Sequence, residues 1–231
     1  MFHLTYDGDL DQSHKVFVTE RPSVPAPEED LEEIEIPGMD GVLIERKNRY
    51  KPITIPVTFN FYQEPDEWME IYRDVKKWLA GSGWLIFSDD PDYEYKVLYA
   101  KIGTTERTIK RKGRLEVDFV CDPYMYVIAG QEAEEFAGSS LENDYDVSHP
   151  IYTITGQGSC TLTVNDGSVT AYAVTQLTID TDRMIAYNAD GEVANADTSG
   201  DYEDLYLQEG ANTISITDGF GLTIQPNWRC K

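Results

Sequence analysis

The stretch ITIPVTFNF at residues 53–61 decides how this chain reads. Ile53, Ile55, Val57, Phe59 and Phe61 alternate with Thr54, Pro56, Thr58 and Asn60. Successive side chains of a strand point to opposite faces, so a period of two sends the first set into a core and the second to the other face. Pro56 has no N–H to give a neighbouring strand, which places it at an edge or a bulge. Downstream, Leu115, Val117, Phe119 and Cys121 alternate with Glu116 and Asp118 in the same way, and residues 93–102 carry a third long strand pattern.

Between these strands one segment changes period. Trp68, Ile71, Tyr72, Val75, Trp78 and Leu79 recur at helical spacing, behind Pro65 and Asp66 and ahead of Gly81, which predicts a single amphipathic helix over 66–80. Its first turn is acidic (Asp66, Glu67, Glu70) and its last basic (Lys76, Lys77), matching the helix dipole at both ends. Upstream, residues 21–41 have another texture. Pro22, Pro25 and Pro27 precede the acids Glu28, Glu29, Asp30, Glu32, Glu33 and Glu35, the composition of an exposed extended arm. A connection of that length is generally functional or disordered.

From about Gly130 the pattern fades, and the polar, acidic residues 131–146 read as a linker. Short alternating runs then follow at 151–154, 161–164, 177–179, 205–207, 214–216 and 222–224. Asp-Gly pairs at 166–167, 190–191 and 218–219 and Glu-Gly at 209–210 punctuate them, as in a β-sandwich with tight hairpins. The chain of 231 residues thus divides into a first domain, 1–130, with strands and one helix, and an all-β second domain, 131–231. Each is large enough to bury its own core.

Charge narrows the function. Forty-two acidic against 19 basic side chains leave a net charge of −23. Residues 1–130 hold 25 acids and 16 bases, and residues 131–231 hold 17 and 3. Such a surface cannot neutralise many phosphates, which argues against nucleic-acid binding, and an anionic membrane would repel it. No run approaches the roughly 20 apolar residues of a membrane helix. The amino terminus shows no cationic segment followed by an apolar one, so synthesis in the cytoplasm is the expectation. Cys121, Cys160 and Cys230 are odd in number and widely spaced, consistent with small buried hydrophobes and not with a disulfide framework or a zinc site.

Chemistry-bearing patterns are scarce. His3, His14 and His149 are too few and too scattered for a metal cluster or a nucleophilic triad, so no catalytic residue, metal or cofactor is expected. Asp7, Asp9 and Asp11 have calcium-loop spacing, but Gln12 and Val18 stand where such a loop needs Gly and Glu. Gly156 and Gly158 begin a dinucleotide-loop pattern that nothing completes. Lys110, Arg111 and Lys112, followed by Gly113, form the one basic cluster, read as a hairpin tip meeting an acidic neighbour. The aromatics Tyr152, Tyr172, Tyr187, Tyr202, Tyr206, Phe220 and Trp228 suit either core packing or a sugar-stacking platform.

The order of segments resembles the distal tail (Dit) proteins of long-tailed phages. The residues that carry the resemblance are Ile36-Pro37-Gly38-Met39-Asp40-Gly41, the strand at 53–61, the helix ending WLAGSG, and LIFSDDP at 85–91. Further along come Phe119 with Cys121-Asp122-Pro123-Tyr124, then Leu207, Gly210, Asn212 and Ile214, and finally PNWR at 226–229. The resemblance implies a mainly β fold, with a tail-tube-like β domain carrying one helix followed by a galectin-like β-sandwich. It further implies a homo-hexameric ring at the tail tip of the virion. Such a ring would join the tail tube protein to the tail-tip protein and to receptor-binding proteins or fibres, and leave a channel for DNA. Met39 stands where the resemblance implies a basic residue, and no inserted carbohydrate-binding module interrupts the second domain.

A closed ring needs heterologous interfaces, for which long exposed strands and an extended arm are suitable material. The expected contact regions are the turn of Pro37, Gly38, Met39, Asp40 and Gly41, the arm at 21–35, and the hairpin of Lys110, Arg111 and Lys112. Negative charge along a channel would keep passing DNA from adhering. The alternative reading is a lectin-like host-recognition protein using two or three exposed aromatics. A wall hydrolase would need two carboxylates at working separation in a cleft.

Overall fold

The computed structural model describes every residue except Met1, Met39, Lys110, Arg111 and Val174, and every side chain except those and residues 65, 104–109 and 173. The chain forms two compact units, Met1–Met125 with Lys231, and Tyr126–Cys230.

The first unit contains β1 (Leu4–Tyr6), β2 (Asp9–Leu10), β3 (Phe17–Val18), β4 (Glu29–Ile34), β5 (Leu43–Tyr50), β6 (Ile53–Tyr62), α1 (Trp68–Trp78), β7 (Gly83–Phe87), β8 (Asp90–Ile109) and β9 (Lys112–Val127). Its main sheet has the order β2-β1-β7-β8-β9-β6-β3. β6 behaves as its alternation demands: Ile53, Ile55, Val57, Phe59 and Phe61 are all buried, and Thr54 and Pro56 are exposed. It runs antiparallel to β9 from Ile53↔Cys121 to Tyr62↔Lys112. On its other edge β3 pairs only with Asn60 and Phe59, so Pro56 faces no strand there and its missing N–H breaks no ladder.

The helix begins after a 3-10 turn at Pro65–Glu67, and its buried residues are Trp68, Ile71 and Val75, followed by Leu79 just past its end. Its two tryptophans lock it to the sheet. Trp68 meets Phe61 edge-on at 4.9 Å between centroids and Trp78 meets Phe59 at 5.9 Å. Each indole N–H donates to a backbone carbonyl, Trp68 to Gln63 and Trp78 to Tyr6, so neither buries an unpaired donor.

Asp7, Asp9 and Asp11 do not gather around an ion. Tyr6 pairs with Asp9 across a two-residue turn in which Asp7 and Gly8 have φ of 50° and 86°. Asp11 is fully buried and accepts N–H bonds from Gln12 and Val18; burial pushes its carboxyl above the usual range despite those bonds.

The second unit is a sandwich of two five-stranded antiparallel sheets. One contains β10 (Glu134–Glu135), β19 (Gly221–Gln225), β12 (Ile151–Thr155), β15 (Gln176–Asp180) and β16 (Ile185–Asn188), in that order. The other orders β11 (Ser140–Asn143), β18 (Gly210–Ile216), β13 (Gly158–Val164), β14 (Gly167–Ala173) and β17 (Thr198–Ser199). Tyr152, Ile154, Leu162, Val169, Ile179 and Ile214 are among the side chains packed between them. The segment 131–146, read as a linker, supplies β10 and β11, an edge strand to each sheet. Short polar edge strands leave no alternation to detect, which is why they escape a pattern reading. Leu205 and Leu207 form no strand: Leu205 closes a 3-10 turn and Leu207 makes a lone bridge to Ser148.

Two glycines are required by packing. A Cβ on Gly113 would lie 2.1 Å from the Phe61 ring, which covers it across the β6–β9 ladder. A Cβ on Gly167 would lie 2.3 Å from the Asp204 carbonyl oxygen, so the hairpin tip is Asn165-Asp166, one residue earlier than the Asp-Gly pair suggests.

Candidate assembly surfaces

Of the predicted arm at 21–35, residues 29–34 form the first strand of a β-hairpin. β4 and β5 pair only with each other, as a two-stranded sheet separate from the main one, from Glu29↔Tyr50 through a bulge to Ile34↔Leu43. Pro37, Gly38, Asp40 and Gly41 lie at its turn end, where Gly38 and Gly41 hold φ of 87° and 88°, a conformation open to glycine at little cost. Met39 of this turn lies outside the described residues. The Pro-rich residues 21–27 precede the hairpin, and Lys51 N–H donates to the Glu28 carbonyl at its base.

Cross-strand ion pairs run along the hairpin: Arg46 to Glu29 at 2.5 Å, Lys47 to Glu32 at 2.7 Å and Arg49 to Asp30 at 2.7 Å. The Arg49 hydrogen bond holds the Asp30 carboxyl below the usual carboxylate range, and Glu32 holds the Lys47 ammonium above its own. All but Asp30, which is half-buried, are exposed, so these pairs set register more than stability. Residues 28–50 carry eight acids and three bases, so a net negative charge remains after pairing. Leu31, Ile36, Val42, Leu43 and Ile44 are 40–52% exposed. A lone two-stranded hairpin is marginal in water, and this one leaves five large apolar side chains uncovered.

The second surface is a polar groove of about 550 Å³ on the outward face of β6 and β9, roofed by residues 19–23. Arg21, Lys112 and Arg114 line it, together with Glu20. Arg21 is tied to Asp89, and Arg114 reaches Glu116 at 2.8 Å and Thr58 Oγ1 at 3.5 Å. Lys112 makes no ion pair among the described residues. Lys110 and Arg111, the rest of the predicted basic cluster, lie outside the described residues, between the end of β8 and the start of β9. Lys112 belongs to the basic cluster read from the sequence, and Arg21 and Arg114 join it in the groove from outside that cluster.

In the second unit the predicted aromatics do not share one role. Tyr152 and Tyr202 are buried, Phe220 and Trp228 pack against the core, and Tyr172 is exposed. Tyr206 stacks on His149 at 4.0 Å. His149 Nδ1 lies 3.2 Å from Asp182, and its Nε2 accepts from the buried Arg229 at 2.8 Å, while Arg229 Nε donates to the Val147 carbonyl. This network satisfies a buried guanidinium and presents no free nucleophile. The Cys121 thiol is pushed up to about 12 by burial, and Cys160 is raised for the same reason, so neither is reactive near neutrality. Cys230 is half-buried. Among the described residues, no group of three or more His, Cys, Asp or Glu side chains is placed to hold a metal ion, and no helix is long and apolar enough to cross a membrane.

Residues 10–121, nearly all of the first unit, match the family model of the phage tail protein RIFT-related domain. The matched segment runs from β2 to the end of the β9 stretch that pairs with β6. Among solved structures it is similar to the Dit protein (gp 19.1) of phage SPP1, described as a paradigm of the hub adsorption apparatus in phages infecting Gram-positive bacteria. That similarity has a TM-score of 0.70 at 16% identity and covers 97% of this chain and 98% of that one. The chain therefore has the fold of that Dit protein along nearly its whole length, mainly β with one helix and a sandwich. No curated protein matches its sequence.

Proposed function

We propose that this chain is a phage tail protein, a Dit hub. In this reading six copies form a ring at the tail tip, joining the tail tube protein to the tail-tip protein and to receptor-binding proteins or fibres. DNA leaves through the channel. The chain is made in the host cytoplasm, works in the virion and catalyses no reaction. The first unit, with the sequence boundary at about residue 130, supplies the ring, and the sandwich faces the partners.

The observation that carries this reading is the pairing of two unlike surfaces on one unit. The hairpin exposes apolar side chains, is net acidic and pairs with no other strand among the described residues, while the groove offers Lys112, a cation with no ion pair among them. Unlike surfaces on one subunit make head-to-tail contacts, which close into a ring when the rotation fits. The turn residues Pro37, Gly38, Asp40 and Gly41 ride on the hairpin, and Lys112 belongs to the receiving side; Met39, Lys110 and Arg111 are assigned to the same contacts from the sequence alone. A ring of chains carrying −23 each also repels DNA in transit.

Light-scattering mass across concentration, with negative-stain images of the purified chain and of the chain mixed with tail tube protein, tests this. Six-fold rings that are lost in Ile44→Asp and weakened in Lys112→Glu are expected. A chain that stays monomeric in both samples refutes the hub reading. Rings indifferent to both substitutions refute the hairpin-and-groove contact alone.

A further inference from the structure

On the second unit a cavity of about 230 Å³ opens beside β10. Ala129, Phe136, Leu141, Ile224, Pro226 and Trp228 give it an apolar lining that includes two aromatic rings, and Glu132, Glu134 and Glu135 complete it. Three features of its construction bear on what it can hold. First, the rim is purely anionic: no Lys or Arg lines the cavity, and the three glutamates are exposed and make no ion pair among the described residues. Residues 131–231 carry 17 acids against 3 bases, so the field around the opening has the same sign. Second, the floor is rigid. Glu134 pairs with Ile224, Phe136 N–H donates to the Leu222 carbonyl at 2.8 Å, and Gly130 lies so close to Trp228 that a Cβ there would sit 2.7 Å from its backbone nitrogen. Third, β10 is the outermost strand of its sheet, with β19 on one side and no strand on the other among the described residues. Its outward N–H and C=O groups are open to an added strand.

We propose that this cavity and the β10 edge together bind an extended, basic segment of another protein, with one arginine or lysine side chain seated over Trp228 and Phe136. A guanidinium or ammonium gains twice there, from the aromatic faces and from the carboxylates. The segment's backbone continues the sheet beyond β10, which fixes its direction. An anionic wall polymer is repelled by the same rim, and a neutral glycan would leave the rim charges unused. The site needs only the second unit, so it stands or falls apart from ring assembly.

The test uses the full chain labelled with 5-fluorotryptophan, whose four indole signals include one from Trp228, assigned with Trp228→Phe. The probe is a capped pentapeptide with central arginine flanked by valine and threonine. Its counterpart with central glutamate and a trisaccharide of N-acetylglucosamine are run beside it. Saturable shift of the Trp228 signal by the arginine peptide alone is expected. Binding should weaken about tenfold in Glu134→Gln/Glu135→Gln and several-fold between about 0.05 and about 0.3 M salt. The remote pair Glu203→Gln/Asp204→Asn should leave it unchanged. No shift at Trp228, an equal loss in the remote pair, or saturation by the trisaccharide instead would each overturn the proposal.

Discussion

Replacing Glu94 by glutamine should stabilise the first unit only where the carboxyl would be ionised. Glu94 lies in β8 opposite Ile86 on β7, is 8% exposed, and makes no hydrogen bond or ion pair among the described residues. Burial raises its carboxyl from an ordinary 4.5 to about 7. A group whose folded pKa is raised binds its proton more tightly in the native state than in the unfolded chain. Stability is therefore lost as pH rises from the unfolded value through the folded one, with the full cost present above about pH 7. One pKa unit is worth about 1.4 kcal/mol, so the penalty reaches about 3 kcal/mol at pH 8 and remains below about 1 kcal/mol at pH 5. Glutamine has the shape of the protonated acid and no charge to desolvate. Urea unfolding read by tryptophan fluorescence follows this unit, because Trp68, Trp78 and Trp84 are three of the four tryptophans. Glu94→Gln should raise the midpoint by about 2 M urea at pH 8 and by less than about 1 M at pH 5, with the slope unchanged. A gain of the same size at both pH values, or none at pH 8, would show that the carboxyl is solvated when ionised and refute the reasoning.

Three further substitutions test packing and polar satisfaction. Gly113→Ala drives a methyl into the Phe61 ring and should cost the first unit about 2 kcal/mol or more, seen in the same urea midpoint; a wild-type value would mean that Phe61 moves freely. Asn212 is fully buried and binds the Gln208 and Gly210 carbonyls, the Gln208 N–H and the Asn165 amide, so Asn212→Ala should cost the sandwich about 2–4 kcal/mol by circular dichroism. Tyr152→Phe removes the 2.8 Å bond from the hydroxyl to the Leu205 carbonyl and should cost about 1 kcal/mol, whereas a stabilised sandwich would show that this buried hydroxyl is poorly satisfied.

The strands with one buried face were legible because one face is apolar and the other polar, as in β6 and in the 115–121 part of β9. The helix was legible because its period differs. The hairpin strand β5 was not, since both faces of residues 45–50 are solvated and no alternation separates them. The same holds for β10 and β11. β14 was missed although Val169 and Ala171 are fully buried, because small residues and threonines dilute its pattern. The sequence read the arm as an exposed extended chain ending near Glu35, whereas Pro22 is buried and Val24 packs against the first core. The hairpin's second strand lay unrecognised in the basic residues that follow.

By itself the sequence determined the mainly β class, the helix, the change of texture near the middle of the chain and the strongly acidic balance, all of which are sums or periods over neighbouring residues. Only the tertiary structure decided that 29–50 fold back on themselves apart from the main sheet, and that Arg21 joins Lys112 and Arg114 around one groove. It likewise brought Phe136 and Trp228 together beneath three glutamates. These arrangements depend on which distant strands pair and in what register, and a shift of one residue would turn every such side chain to the opposite face.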